Sequence, residues 1–131
     1  MGPQQYEINK IIEEHEKWLI DPKCGKQAII DHSFTLNNLD LSYANLERSV
    51  LNSAQFHGCN FSYARLDNAQ LRGAIFYHCN FRHASLGDPE ITFETDFSYC
   101  DFSFSYLDVT QEQNVLFDRC ALKHTYIDPD R

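Results

Sequence analysis

From residue 36 onward the apolar positions of the chain recur every five residues. Leu36, Leu41, Leu46, Leu51, Phe56, Phe61, Leu66, Leu71, Phe76, Phe81 and Leu86 follow one another without a miss. Two residues before each stands an apolar or small side chain: Phe34, Leu39, Ala44, Ser49, Ala54, Cys59, Ala64, Ala69, Ala74, Cys79 and Ala84. The register breaks at Gly87-Asp88-Pro89 and resumes one residue later as Phe97, Phe102 and Leu107. It misses at Glu112 and continues as Phe117, Leu122 and Ile127. A period of five fits neither an α-helix, at about 3.6, nor a strand, at about 2. Two inward positions separated by one outward residue predict a short flat side and then a corner. Four such sides close a square coil of twenty residues. That longer period is visible: Phe56-His57-Gly58-Cys59-Asn60-Phe61 recurs from Phe76, Phe97 and Phe117, at separations of 20, 21 and 20.

Residues 5–20 obey a different rule. Ile8, Ile11, Ile12, His15, Trp18 and Leu19 fall on one helical face, with Glu7, Glu13, Glu14 and Lys17 off it. Pro22 and Gly25 end the helix. A stack of coils exposes backbone and apolar side chains at its ends, so a helix here predicts an N-terminal cap. The expected organisation is a capping helix and linker over 1–27, then a repeat region over 28–131 with an acidic insertion at 87–96. The far end, closing on Phe117, Leu122, Tyr126 and Ile127, carries no such helix and is expected to pair with a second copy.

The repeat resembles the pentapeptide-repeat family, whose motif is roughly Ala-Asp/Asn-Leu-x-x. Ala44-Asn45-Leu46 matches it in full, and Cys59-Asn60-Phe61 and Cys79-Asn80-Phe81 match with Cys in place of Ala. The resemblance covers residues ~28–127 and implies an all-β solenoid: a right-handed quadrilateral β-helix. At a strand spacing of roughly 4.8 Å, about five coils would make a rod on the order of 24 Å long.

Composition narrows the function. The 131 residues are 43% hydrophobic and 23% charged, which is globular rather than disordered. No apolar run reaches the ~18 residues of a membrane span, and no secretory leader is visible, so a cytoplasmic protein is expected. The formal net charge of −8 argues against direct binding to nucleic acid or an anionic membrane. The charge is uneven: residues 1–26 sum to −1, residues 27–87 to zero and residues 88–131 to −7.

Cys59, Cys79, Cys100 and Cys120 fall one per coil at an inward position. They are expected to be packed as small hydrophobes, because stacked thiols that point one way cannot surround a metal. The histidines fall at outward positions and do not converge with them. No nucleophile–base pair, phosphate loop or metal motif is present, so neither catalysis nor a cofactor or metal is expected. Two outward columns remain. One is aromatic: Tyr43, Tyr63, His83, Phe104 and His124. The other is acidic, running through Glu47, Asp67, Asp108 and Asp128, with Asp88, Glu90, Glu94 and Asp96 contributed by the insertion. The acids of this column are expected to stand exposed and to add nothing to the fold, because stacked like charges repel.

Two functions follow. In the first, the acids replace DNA phosphates. The family resemblance implies this, since some of its members act as duplex-DNA mimics against gyrase, and phage anti-defence proteins such as anti-CRISPR proteins use acidic mimicry too. The partner would then be a DNA-binding protein or nucleoprotein complex, engaged through its basic channel. In the second, the rod is a rigid protein-interaction scaffold, with the aromatic column or the acidic segment as its contact surface.

Overall fold

The computed structural model describes residues 4–31, 35–91, 94–108 and 116–127. The chain opens with helix α1, Gln5–Ile20, as the periodicity predicts. Gln4 and Glu7 close its first turn reciprocally as a capping box. Ile8 and His15 are buried beneath it. His15 fixes the cap to the first coil: Ala28 N–H donates to Nδ1 at 2.9 Å, so the ring proton sits on Nε2, which meets the Glu47 carbonyl at 2.7 Å. Burial lowers the His15 pKa below its ordinary value, and the hydrogen bond to Glu47 opposes that only in part.

The remainder is the expected right-handed quadrilateral β-helix, a β-solenoid of about four turns. Strands β1 (Thr35–Asn37), β2 (Gln55–His57), β3 (Ile75–Tyr77), β5 (Asp96–Ser98) and β7 (Leu116–Asp118) stack in parallel as face 1. Strands β4 (Ser85–Gly87), β6 (Tyr106–Asp108) and β8 (Tyr126–Ile127) stack on face 3, extended backward by Asn45 and Arg65. Face 2 is built from single bridges through Asp40, Asn60, Asn80, Asp101 and Ala121, and face 4 from bridges through Ile29, Val50, Gln70 and Glu90.

The predicted centres are the core. Phe56, Phe76 and Phe97 stack on face 1 at 4.9 Å, and Phe61, Phe81 and Phe102 on face 2 at 4.9 and 4.7 Å. The two ladders meet edge to face, as in Phe76–Phe81 at 5.3 Å. Cys59, Cys79 and Cys100 are buried beside them, and each thiol donates to a backbone carbonyl of the preceding coil at 3.3–3.4 Å. Cys120, at the last described coil, is only half-buried.

Every described residue two places after a centre from Leu36 onward has a positive φ. Thirteen of these residues are not glycine, from Asn38 at 57° to His124 at 57°. This left-handed residue turns each corner and costs a side-chain-bearing residue ~1–2 kcal/mol. The coil above and below holds it in place: Tyr43 N–H donates to Ser62 O, and Tyr63 N–H to Arg82 O.

One expectation about register is corrected. Gly87-Asp88-Pro89 does not break the repeat. Leu86 and Ile91 are both buried five residues apart, Pro89 is buried between them, and Glu90 bridges Gln70 in register. The added residue falls later, between Ile91 and Thr95. Pro89 fits because its position asks for a small apolar group facing inward.

Candidate functional site

Continued register scatters the acids that a bulged loop would have gathered. Asp88 turns the corner between faces 3 and 4 with φ 49°. Glu90 points outward from face 4, with Arg72 at 3.8 Å. Glu94 is exposed in the next corner. Asp96 lies on face 1, where it accepts a hydrogen bond from Ser98 Oγ at 2.6 Å. Asp108 is 8% exposed, so the expectation that it stands outward is corrected. Asp128 lies outside the described residues.

Glu47 and Asp67 also correct the idea that the acidic column adds nothing to the fold. Arg65 pairs with Glu47 at 2.8 Å and approaches Asp67 at 3.8 Å. Asp67 Oδ1 accepts from Ser85 Oγ and from Gly87 N–H, both at 2.6 Å. A Cβ on Gly87 would lie 2.7 Å from that same oxygen, so a larger residue there would push the Asp67 carboxylate aside. The carboxylate of one coil therefore ties down the backbone of the next, which outweighs the repulsion between stacked acids.

The aromatic column forms one continuous stack. Tyr43–Tyr63, Tyr63–His83, His83–Phe104 and Phe104–His124 have ring centroids 4.8, 4.6, 5.1 and 5.1 Å apart. It runs along the corner that ends face 2. Arg82 reaches over Phe104, its guanidinium carbon 5.2 Å from the ring centroid, and pairs with Asp101 at 3.2 Å. Asp101 is held below the ordinary carboxylate range by Ser103 and Arg82, which overcome its partial desolvation.

A second aromatic corner, built on the outward positions of His57 and His78, borders the other side of face 2. His57 leans on Tyr77 at 5.9 Å, and His78 stacks on Tyr99 at 4.8 Å. Arg119 lies over Tyr99 and donates to its hydroxyl at 2.6 Å. The clue was present: these residues stand one and two places after Phe56, Phe76, Phe97 and Phe117. Face 2 is thus a polar strip of Asn60, Ser62, Asn80, Arg82 and Asp101, with Ser103 buried, between two aromatic ridges. Among the described residues seven exposed aromatic rings are large hydrophobics, and five of them (Tyr43, Tyr63, Tyr77, Tyr99 and Phe104) flank this one face. Aromatic and arginine enrichment of this kind marks protein-contact surfaces.

At the far end Leu122, Tyr126 and Ile127 are exposed and Phe117 is half-buried. Among the described residues no His, Cys, Asp and Glu cluster is placed to hold a metal. Inward thiols and outward imidazoles lie on opposite sides of the coil wall. Among the described residues no helix is long and apolar enough to cross a membrane.

A stacked coil with outward ladders and an inward phenylalanine core defines a β-solenoid. Within the repeat region, residues 35–62 and 49–88 match the family model for pentapeptide repeats, in eight copies. Among solved structures the chain is similar to the pentapeptide repeat protein Rfr23 from the cyanobacterium Cyanothece 51142, at 21% identity over 73% of this chain, with a TM-score of 0.52. The chain spans 61% of the length of that protein. Weaker likenesses are to QnrB1, a plasmid-mediated fluoroquinolone resistance protein (16% identity, 80% of this chain and 86% of that one, TM-score 0.35), and to a pentapeptide repeat protein from the Arabidopsis thaliana thylakoid lumen (17%, 72% and 63%, TM-score 0.27). No curated protein sequence matches the chain.

Proposed function

We propose that the protein is a non-catalytic, cytoplasmic binding scaffold that docks a protein partner across face 2. The observation that carries this reading is the pair of aromatic ridges bordering one polar strip. The rings are costly to expose, yet they are concentrated on one side of the rod. Stacking and the coil hydrogen bonds hold them rigid, so little conformational entropy is lost on contact. The test replaces Tyr63 and Phe104 with Asn, which tolerates the left-handed corner while removing the ring. A captured partner should be lost from this variant while circular dichroism shows that the coil remains folded at the assay temperature. Retention of the partner would refute the reading.

A second reading, duplex-DNA mimicry, is favoured by one specific observation: the net charge of −8 is concentrated beyond residue 87, where Asp88, Glu90 and Glu94 are exposed. It asks for a partner with a basic DNA channel, such as gyrase or a CRISPR complex, and for mutual exclusion with duplex DNA. The ion pairs of Arg65, Arg72 and Arg82 work against it, because they neutralise acids that would otherwise stand in for phosphates. Displacement of labelled duplex from the partner, steeply weakened by salt, would establish it. Simultaneous binding of protein and DNA would reject it. Either reading accommodates an end-to-end homodimer through Phe117, Leu122, Tyr126 and Ile127. A dimer should appear by light scattering at tens of micromolar, and a monomer there would exclude it.

A further inference from the structure

We propose that the N-terminal edge of face 4, at Ile29, takes an extended segment of a partner protein as one more strand, and that this segment is apolar with acidic residues at its flanks. The proposal is independent of docking across face 2, because face 4 lies on the opposite side of the coil.

Ile29, Asp40 and Asn45 are the first bridged residues of faces 4, 2 and 3. Each is flanked by the two hydrogen bonds of a parallel bridge, so its own N–H and C=O point out of the stack at the N-terminal end. At Ile29 the flanking bonds run from Val50 N–H to Ala28 O at 2.9 Å and from Ile30 N–H to Val50 O at 2.8 Å. Helix α1 closes the other two edges with its side chains. Gln5 takes both groups of Asp40: its Oε1 accepts from the Asp40 N–H at 2.6 Å, and its Nε2 donates to the Asp40 carbonyl at 2.7 Å. Glu16 Oε2 accepts from the Asn45 N–H at 3.1 Å. Among the described residues nothing bonds the N–H or the carbonyl of Ile29. Its side chain is 58% exposed. An unpaired edge of this kind is a template for strand addition.

The surroundings of the edge say what kind of strand fits. A pocket of about 350 Å³ opens beside it, between α1 and residues 26–29, lined by Ile11, Ala28 and Ile29 with Lys10, Glu14 and Lys26, among others. Val50, bridged to Ile29, continues the apolar surface onto the next coil. A strand paired with Ile29 would lay a β-branched or other apolar side chain against it, as neighbouring strands do within a sheet. The charges then select among apolar segments. Glu14 is already held by Lys17 at 3.0 Å. The Lys10 ammonium lies 5.6 Å from the centroid of the Tyr6 ring, and among the described residues neither it nor Lys26 pairs with an acid. The rim is therefore cationic on a chain whose net charge is −8. Carboxylates flanking the added strand would meet the two ammonium groups, while a basic segment would be repelled.

The test is a titration of the full chain with a blocked pentapeptide, Asp-Val-Ile-Val-Asp with acetylated and amidated ends, followed by NMR at the Ile29 amide. A saturable shift with a Kd of ~1 mM or tighter is expected, together with slowed hydrogen exchange at that amide. The peptide with Lys in place of both Asp should bind at least ~10-fold more weakly, and so should the peptide with its three central amides N-methylated. Ile29→Pro removes the unpaired N–H at an edge position where proline is tolerated, and should abolish binding. Should that variant fail to fold, the double variant Lys10→Gln and Lys26→Gln, at exposed positions without ion pairs, should still weaken binding several-fold. The Tyr63→Asn and Phe104→Asn variant should bind the peptide as the parent does, whatever becomes of docking across face 2. Absence of a saturable shift, or equal binding of the lysine peptide, overturns the proposal. Equal binding of the N-methylated peptide would mean filling of the pocket without strand addition, and would overturn it too. A shift of the Ile29 amide with protein concentration alone would give the edge to a second copy of the chain and take it from a partner.

Discussion

Replacing Phe76 by Ala tests whether the coil is held by its ring ladders. Phe76 is fully buried. It stacks on Phe56 and Phe97, both at 4.9 Å, and meets Phe61 and Phe81 edge to face at 5.7 and 5.3 Å. A buried Phe→Ala change costs ~3–5 kcal/mol, and four ring contacts place this one toward the upper end, at about 5 kcal/mol. Phe117 provides the internal comparison. It is half-buried, with one stacked ring, Phe97, and one edge contact, Phe102, both at 5.4 Å. Half the contacts and half the burial predict about 2 kcal/mol for Phe117→Ala. Guanidinium chloride unfolding followed by circular dichroism reads both values by linear extrapolation. Phe76→Leu keeps most of the volume and should cost only ~1–1.5 kcal/mol, which gives a folded variant should the alanine protein fail to fold. Equal losses at Phe76 and Phe117 would mean that the ladder is not the main contact between coils.

Other consequences are as direct. Gly58→Ala should destabilise by ~1–2 kcal/mol in the same unfolding assay, because Gly58 has φ 67° and an added Cβ would press on the Asn38 side chain. His15 accepts a hydrogen bond in its neutral form and has a lowered folded pKa, so the folded state binds fewer protons than the unfolded chain. Its stability contribution is therefore present above the unfolded pKa of ~6.5 and declines as pH falls below it. Unfolding at pH 5 and 7.5 should show this loss, and His15→Gln should shrink it. In a native thiol titration Cys24 should react first and half-buried Cys120 next. Cys59, Cys79 and Cys100 should wait for unfolding, since burial blocks access and, with thiol–thiol hydrogen bonding leading, pushes the Cys59 and Cys100 thiols up.

The inward positions were legible because their chemistry is one-sided: only an apolar or small residue survives where Leu66, Phe81 or Cys79 points. Helix α1 was legible for the same reason, its apolar face reading at another period. The place of the added residue was not. Gly-Asp-Pro looks like a break, yet Pro89 packs inward and Asp88 turns an ordinary corner. The left-handed corners were also hidden, because Tyr, Arg, His and Phe occupy them as well as Gly and Asn. Only Gly58, Gly73, Asn38 and Asn68 hinted at a positive φ. The acids misled because sign and spacing do not reveal partners. Asp67 and Glu47 face Arg65, and Asp67 also bonds Gly87 of the next coil, while Asp108 is nearly buried. The aromatic column survived the change from sequence to structure because stacked positions become stacked rings. Its companion ridge, shared between two adjacent outward positions, was harder to recognise as one surface.

The scaffold claim is tested most directly by measuring the affinity of one captured partner for two variants. In the first, Tyr63 and Phe104 are both Asn. In the second, the exposed acids Asp88, Glu90 and Glu94 become Asn or Gln. The scaffold account predicts that the ring variant loses ~10-fold or more in affinity, at least 1.4 kcal/mol, while the neutralised variant changes little at physiological salt. The opposite order, with binding intact after loss of the rings and weakened by neutralisation, would contradict it and favour acidic mimicry of DNA.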